Sequence, residues 1–273
     1  MMQSASRESL AAARERLDQV VAGADGDQLR TLADELFAVL GVLQRERVLR
    51  RHLTDPAMPE DARERLARGV FGGRVGDAAV TTVAGLATAR WSTQSDLLEA
   101  LESLARRVTF VLAERDGVLE DVEDELFRFS RILVAEPRLR SLLADQGTPV
   151  DGRVRLLHTV LADRVTPVTT QLLEQTVREP RGRSLELVVG KLAEDAAAMR
   201  SRSVAQVVAA APLTDEQESR LAQTLSTIFG RAVSVQVELD PDVLGGLVIR
   251  VGDEVIDGSV AARLAKARQE LPG

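Results

Sequence analysis

Apolar side chains recur at intervals of three and four residues through most of the first 200 positions. This spacing places them on one face of a helix. Two runs carry the clearest stripes: Leu29, Leu32, Leu36, Val39 and Leu43, then Val118, Val122, Leu126, Phe129 and Leu133. Similar stretches lie near 77–89, 96–114, 166–178 and 184–199. The pattern predicts a helical region up to about residue 202.

This helical region repeats itself with an offset of 90 residues. Asp34-Glu35-Leu36-Phe37 recurs as Asp124-Glu125-Leu126-Phe127. The same offset aligns further identical pairs: Leu43 and Leu133, Leu53 and Leu143, Asp55 and Asp145, Pro59 and Pro149, Arg63 and Arg153, Leu97 and Leu187. The period exceeds that of solenoid repeats, so we interpret it as one duplicated domain. The stretch 96–114 aligns with the end of one copy and the beginning of the other, and we expect one long helix to join the two bundles.

Two breaks inside the copies can be compared directly. Pro59 and Pro149 suit the first turn of a helix, where the missing N–H of proline costs nothing. Gly72-Gly73 ends a helical stretch of the first copy, whereas Ala162-Asp163 stands at the equivalent place in the second.

The pattern changes at about residue 203. Val204–Val208 is typical of a short strand, and Thr214 with Gln217 forms a capping box that predicts a helix ending at Gly230. Alternating apolar residues over 233–239 predict a half-buried strand, and 247–249 with 255–256 a hairpin. A last helix is expected from 260 to 271, capped by the Asp257-Gly258-Ser259 turn. The expected fold is therefore mainly α: two consecutive helical bundles, 1–105 and 106–202, followed by a small α/β domain, 203–273.

Composition narrows the possible functions. The 273 residues are 45% apolar and 28% charged with a net charge of −7, and they include no cysteine and two histidines, His52 and His158. Thiolate metal sites are excluded, and a histidine triad or a multi-histidine metal site is very hard to build. No segment has the strongly positive net charge that binding to the nucleic-acid backbone needs. No uncharged stretch reaches about 20 residues, and charges precede any apolar run, so we expect a cytoplasmic protein without membrane insertion or a secretory signal.

Several candidate sites have a structural alternative. Gly190-Lys191 lacks the other residues of a phosphate-binding loop, so we expect no nucleotide cofactor to bind through such a loop. Gly245-Gly246 is interpreted as a turn rather than a phosphate site. Turns and caps explain the tail carboxylates better than a metal does; they are Asp240, Asp242, Asp253, Glu254 and Asp257. An acidic run over 120–125 suits the start of a helix. Trp91 is expected to pack locally, with a role as an interface anchor left open.

The tail also carries a specific resemblance. Asp240-Pro241-Asp242-Val243-Leu244-Gly245-Gly246, followed by a valine-rich strand and Ile256-Asp257-Gly258-Ser259, resembles the C-terminal signature of the delta subunit family of bacterial F-type ATP synthases. Residues 103–125 resemble the opening of that family, so the resemblance covers about 103–273. The additional copy over 1–105 departs from the usual pattern.

The resemblance implies a stator subunit without catalytic residues, cofactor or metal. It would link the catalytic head, through N-terminal segments of alpha subunits, to stalk subunit b, at the cytoplasmic face of the cell membrane as a peripheral protein. The first and penultimate helices of the second copy would bind alpha, with five candidate residues: Val108, Val111, Leu112, Leu185 and Val188. Each of these is equally compatible with a core position at helical spacing.

Two functions other than that of a stator subunit are compatible with the residues considered without the resemblance. A helical adaptor could hold two partners at once outside the ATP synthase. An enzyme is disfavoured because no nucleophile–base pair or metal set is apparent.

Overall fold

The computed structural model describes residues 2–202, 204–229, 233–240, 245–252 and 254–258. Its first eleven helices follow one another with short connections. Their bounds are Ser4–Ala22 (α1), Gly26–Arg45 (α2), Arg47–Leu53 (α3), Glu60–Phe71 (α4), Asp77–Thr88 (α5), Gln94–Arg115 (α6), Leu119–Ala135 (α7), Pro137–Ala144 (α8), Val150–Leu161 (α9), Pro167–Arg178 (α10) and Leu185–Arg202 (α11). The mainly helical class expected from the periodicity is confirmed.

The remaining elements form a small α/β arrangement. They are Val204–Ala209 (β1), Asp215–Phe229 (α12), Ser234–Leu239 (β2), Leu247–Val251 (β3) and Glu254–Asp257 (β4). Chain contacts divide the protein into two compact units, 1–193 and 194–273, with the division inside α11.

The 90-residue repeat is visible in the helix bounds. Helices α4 and α9 begin and end at equivalent positions, and so do α5 and α10. Helix α2 corresponds to α7, and α3 to α8. Helix α1 corresponds to α6, and α6 in turn to α11, so α6 belongs to both copies. This confirms the single joining helix expected from the alignment.

The shared helix is buried along most of its length. Leu97, Leu101, Leu104, Val108 and Leu112 of α6 are each at most 2% exposed. They belong to one apolar core with the buried faces of α1, α2 and α5. Because burial of apolar surface is the main favourable contribution to folding, α6 anchors the first copy as well as opening the second.

Polar contacts repeat as well. Glu35 accepts a hydrogen bond from the Gly76 N–H at 2.8 Å, and Glu125 accepts one from the Thr166 N–H at 2.9 Å. These carboxylates satisfy amides at the start of α5 and α10, which have no partner inside the helix. Asp55 and Asp145 each accept a 2.9 Å hydrogen bond from the amide two residues further on, an Asx turn in both copies.

A buried arginine closes the other end of the same helix in each copy. Arg63 and Arg153 are each 4% exposed. The Arg63 guanidinium donates to the Ala87 carbonyl at 2.6 Å, and the Arg153 guanidinium donates to the repeat-equivalent Val177 carbonyl at 2.8 Å. A cation at the C-terminal end of a helix satisfies orphan carbonyls and opposes the helix dipole.

The second unit has a four-stranded sheet in the order β2-β1-β3-β4. Strand β1 pairs in parallel with β2, α12 lying between them in sequence, and antiparallel with β3, which forms a hairpin with β4. Ala205, Val207, Leu225, Ile249 and Val251 are buried in its core. The strands and the hairpin expected from the sequence are confirmed.

Local details of this unit follow the sequence. The Thr214 hydroxyl accepts from the Gln217 N–H, and the Gln217 side chain accepts from the Thr214 N–H, as a capping box requires. Gly245 and Gly246 have φ of 98° and 85°, left-handed values that glycine adopts readily and that suit the predicted turn. The expected end of α12 at Gly230 and the last helix over 260–271 lie outside the described residues.

Two expectations differ in detail from the structure. Pro59 and Pro149 precede the first helical residue instead of lying within the first turn, and their carbonyls accept the first helical amides. Ala162 and Asp163 adopt φ of 47° and 54°, the left-handed conformation that Gly73 adopts at 70° in the first copy. Gly72, the counterpart of Ala162, has a φ of −56°, so the second copy places two residues in the left-handed conformation where the first places one, and its side chains disfavour that conformation.

Candidate partner-binding surfaces

The five residues expected to bind a partner are mostly interior. Val108 and Leu112 on α6 are 0% and 2% exposed, and Leu185 and Val188 are 4% and 7% exposed. The latter two lie on α11, which is the last helix of the second copy and not the penultimate one as expected, since α10 precedes it. Val111 is half-buried and packs against the core of the first copy. A buried side chain makes its contacts within the chain. These residues therefore pack beneath the surface and position the helices that form it. Their role in binding remains a prediction.

One apolar side chain of α11 points outward instead. Leu187 is 71% exposed, although its repeat-equivalent residue, Leu97, is 2% exposed within the core. The sequence alignment paired these two leucines, but the periodicity alone did not distinguish their environments.

A buried ion cluster on α6 distinguishes the second copy from the first. The Glu102 carboxylate accepts hydrogen bonds from Arg106 within α6, and from Arg181 and Arg183, which precede α11, each at about 2.5–2.6 Å. Glu102 is 5% exposed, and its repeat-equivalent position in the first copy is Ala12. The cluster therefore fastens the loop before α11 to the shared helix.

Electrostatics within this cluster favour the ionised carboxylate. Burial alone would raise the pKa of Glu102, but the attraction of Arg106, Arg183 and Arg181 outweighs it and holds the pKa below its ordinary value. Removing one member would leave charges buried without a partner, which is the costly case for buried ion pairs.

A cleft separates α2 of the first copy from α10 of the second. At one end the Gln171 amide donates to Asp34 at 2.6 Å, and at the other Arg45 lies 4.0 Å from Glu179. The space between them, about 590 Å³, is lined in part by Phe37, Gly41, Val42 and Val150. Partial burial here raises the pKa of Glu179, opposed by the nearby Arg45. No sequence pattern indicates this cleft, because it depends on how the two copies pack.

The corresponding face of α7 has no such cover. Phe127 is 58% exposed, Ile132 43% and Val134 54%. The acidic run over 120–125 lies at the start of the same helix, where it opposes the helix dipole, and Glu125 is the carboxylate that caps α10.

The second unit has a smaller basic notch between α11 and the sheet. It measures about 290 Å³ and is lined by Arg200, Ser201, Val204, Gln206, Arg250 and Gly252. The other residues singled out from the sequence have structural roles. The Trp91 indole donates to the Leu86 carbonyl and packs on the first core, as expected, and His158 lies 3.3 Å from Glu174.

Among the described residues, no three metal-ligating side chains lie together. Within the same residues, no helix combines the length and the apolar character that crossing a bilayer requires. A duplicated helical bundle with open apolar faces, whose buried charges are engaged in structural pairs, followed by a small α/β unit, defines a protein-binding scaffold.

Comparison with known proteins identifies the family. The family described as "ATP synthase delta (OSCP) subunit" matches residues 107–271. ATP synthase subunit delta of Streptomyces avermitilis is 46% identical over 98% of this chain and 97% of that protein. The Streptomyces griseus subunit delta is 44% identical over the full length of both. The chain belongs to the ATP synthase delta (OSCP) subunit family, as the tail signature indicated.

Other relatives are longer. "ATP synthase subunit b-delta" of Mycobacterium sp. strain KMS is 48% identical over 99% of this chain, which spans only 61% of that protein. A chain of the Toxoplasma gondii mitochondrial ATP synthase hexamer matches 63% of this chain with a TM-score of 0.31 and 22% identity, a likeness too low to carry an argument.

Proposed function

We propose that the chain is a non-catalytic stator subunit of an F-type ATP synthase that joins the catalytic head to the peripheral stalk. Full-length identity of 44–46% with delta subunits is the observation that carries this proposal. Family membership does not support the alternative of an adaptor outside the ATP synthase.

Each of the two units would bind one of the two parts that the subunit connects, the catalytic head and the peripheral stalk. The helical unit would receive N-terminal segments of alpha subunits as helices in a groove, the usual way in which amphipathic segments dock on bundles. The α/β unit would contact stalk subunit b, at the cytoplasmic face of the membrane. The name of the mycobacterial relative, b-delta, supports the pairing with b.

A division into 1–105, 106–202 and 203–273 suits this arrangement, with the second helical copy binding alpha. The exposed Leu187 on α11 would contact the alpha segment, and Val108, Val111, Leu112, Leu185 and Val188 would support it. A joint that resists torque requires a large interface that dissociates slowly, because release would uncouple rotation from synthesis.

Reconstitution tests this function. ATP synthase depleted of this chain should hydrolyse ATP without pumping protons, and adding the purified chain back should restore pumping. Equal pumping with and without the chain would contradict the proposed role.

A further inference from the structure

The duplication places the same helix face in two environments. We call Asp124, Phe127, Arg128, Arg131 and Ile132 the α7 face. Its repeat-equivalent residues on α2 are Asp34, Phe37, Ala38, Gly41 and Val42. All five of these α2 residues line the cleft toward α10.

The apolar side chains of the two faces differ in exposure. Phe37 is 6% exposed, whereas the same residue type at Phe127 is 58% exposed. Val42 is half-buried, and Ile132 at the equivalent position is 43% exposed. The α7 face therefore leaves two large apolar side chains in water, and exposed apolar patches are typical of interaction sites.

In the first copy, helix α10 borders the other side of the cleft, with Gln171 bonded to Asp34 and Glu179 near Arg45. A side-chain carbon at Gly41 would lie 3.5 Å from the Arg45 guanidinium and 3.8 Å from the carboxylate of Glu179, the residue that follows α10. An acidic group from across the cleft therefore lies near Gly41, where it faces an arginine.

The charges of the α7 face fit an acidic partner. Ala38 and Gly41 are replaced by Arg128 and Arg131, both exposed. Arg128 is partly neutralised by Asp124 at 2.8 Å, and this pair is solvent-exposed and therefore weak. A carboxylate placed relative to α7 as Glu179 is placed relative to α2 would lie near Arg131.

We propose that the α7 face binds an amphipathic helix of a partner protein, with apolar side chains on Phe127 and Ile132 and carboxylates toward Arg131. The helix would run beside α7 as α10 runs beside α2, with closer apolar contact. The α10 of a second copy does not supply it, because Gln171 and Glu179 already engage Asp34 and Arg45 within the same chain. The position equivalent to Glu179 at the end of α5 is Ala89, which has no charge.

Two synthetic peptides test this inference without any other subunit. The first peptide is an amphipathic helix of about five turns with leucines on one side and glutamates on the other. The second peptide has the same sequence with lysines in place of the glutamates. Binding to the full-length chain is measured by fluorescence anisotropy. Phe127→Ser and Arg131→Glu are compared with Val48→Ser, a control at an exposed apolar position of the first copy.

The glutamate peptide should bind, and each α7 variant should weaken its binding about tenfold, as expected for an interface anchor. Val48→Ser should leave binding unchanged, and the lysine peptide should bind weakly to the unmodified chain. Equal binding of both peptides, unchanged binding by the α7 variants, or no binding up to about 1 mM would overturn the proposal. Self-association in sedimentation that Phe127→Ser abolishes would also overturn it, because the occupant would then be a second copy.

Discussion

The first and second helical copies have equivalent interior contacts but different surfaces. Arg63 and Arg153 close equivalent helix ends, and Glu35 and Glu125 cap equivalent helix starts. In contrast, Phe37 is covered where Phe127 is exposed. The contacts that define the bundle were retained after duplication, whereas the positions that contact a neighbour changed their environment.

This difference teaches that identical residues at equivalent positions need not have the same role. A side chain enclosed in a core, such as Phe37, contributes to stability, whereas an exposed counterpart such as Phe127 is available to a partner. Variants made in matched pairs, one in each copy, can separate the two contributions.

The largest expected effect is the loss of a buried arginine. Arg63→Met and Arg153→Met should each lower the free energy of unfolding by about 3 kcal/mol, because the helix-end carbonyls lose charged donors in the interior. Urea denaturation measures this. The repeat-equivalent exposed arginines provide controls, and Arg65→Met and Arg155→Met should each cost about 0.5 kcal/mol or less. A large cost in only one copy would break the proposed equivalence of the interiors.

The Glu102 cluster should have the next largest effect, restricted to the second copy. Glu102→Gln should cost about 2 kcal/mol at pH 7, because three arginines lose their buried counter-charge. Since the folded-state pKa is lowered, this stability is present above the ordinary pKa of 4.5 and is lost as the pH falls through the lowered value.

Urea denaturation at several pH values checks this dependence. The difference between the unmodified chain and Glu102→Gln should therefore shrink below about pH 4.5. Glu99→Gln, at an exposed position of the same helix, is the control. A constant difference across the pH range would contradict the electrostatic origin.

The capping carboxylates should have smaller effects of unequal size. Glu35→Gln should cost about 1 kcal/mol, since it weakens one bond to the Gly76 amide. Glu125→Gln should cost more, because this carboxylate also accepts from the Thr166 hydroxyl. Thermal unfolding of the two variants side by side measures the order, and the reverse order would contradict the contribution assigned to the Thr166 hydroxyl.

The smallest expected effect is a gain in stability. Ala162→Gly should stabilise the second copy by about 0.5 kcal/mol, because glycine relieves the left-handed strain at a modest entropic cost. A matched change at Asp163, Asp163→Gly, should act in the same direction. A loss of stability in differential scanning calorimetry would show that the turn is not strained.

Much of this fold could be predicted from the sequence. The stripe at Leu29–Leu43, the repeat and the alternating strand over 233–239 each follow local periodicity, which needs no knowledge of the tertiary structure. Helix α1 lacked a clear stripe, because alanine and serine supply part of its buried face, at Ser6 and Ala13. Extending the offset back from α6 could have located it.

The surfaces could not be predicted in the same way. Val108 and Leu185 have helical spacing whether they face a core or a partner, and only tertiary packing decides. The cluster around Glu102 joins residues about 80 positions apart, and no local pattern indicates it. Phe127 was visible as the counterpart of Phe37, but the repeat does not reveal that Phe37 joins the first core while Phe127 is exposed.

The second copy is proposed to present the partner-binding surface, although the interiors of the two copies are equivalent. The most direct measurement is calorimetric titration of the full chain with the N-terminal peptide of the alpha subunit. Leu187→Asp in the second copy is compared with Val48→Asp at an exposed position of the first. We expect binding to be lost with Leu187→Asp and unchanged with Val48→Asp. Loss of binding with Val48→Asp alone would place the site in the first copy and contradict the account.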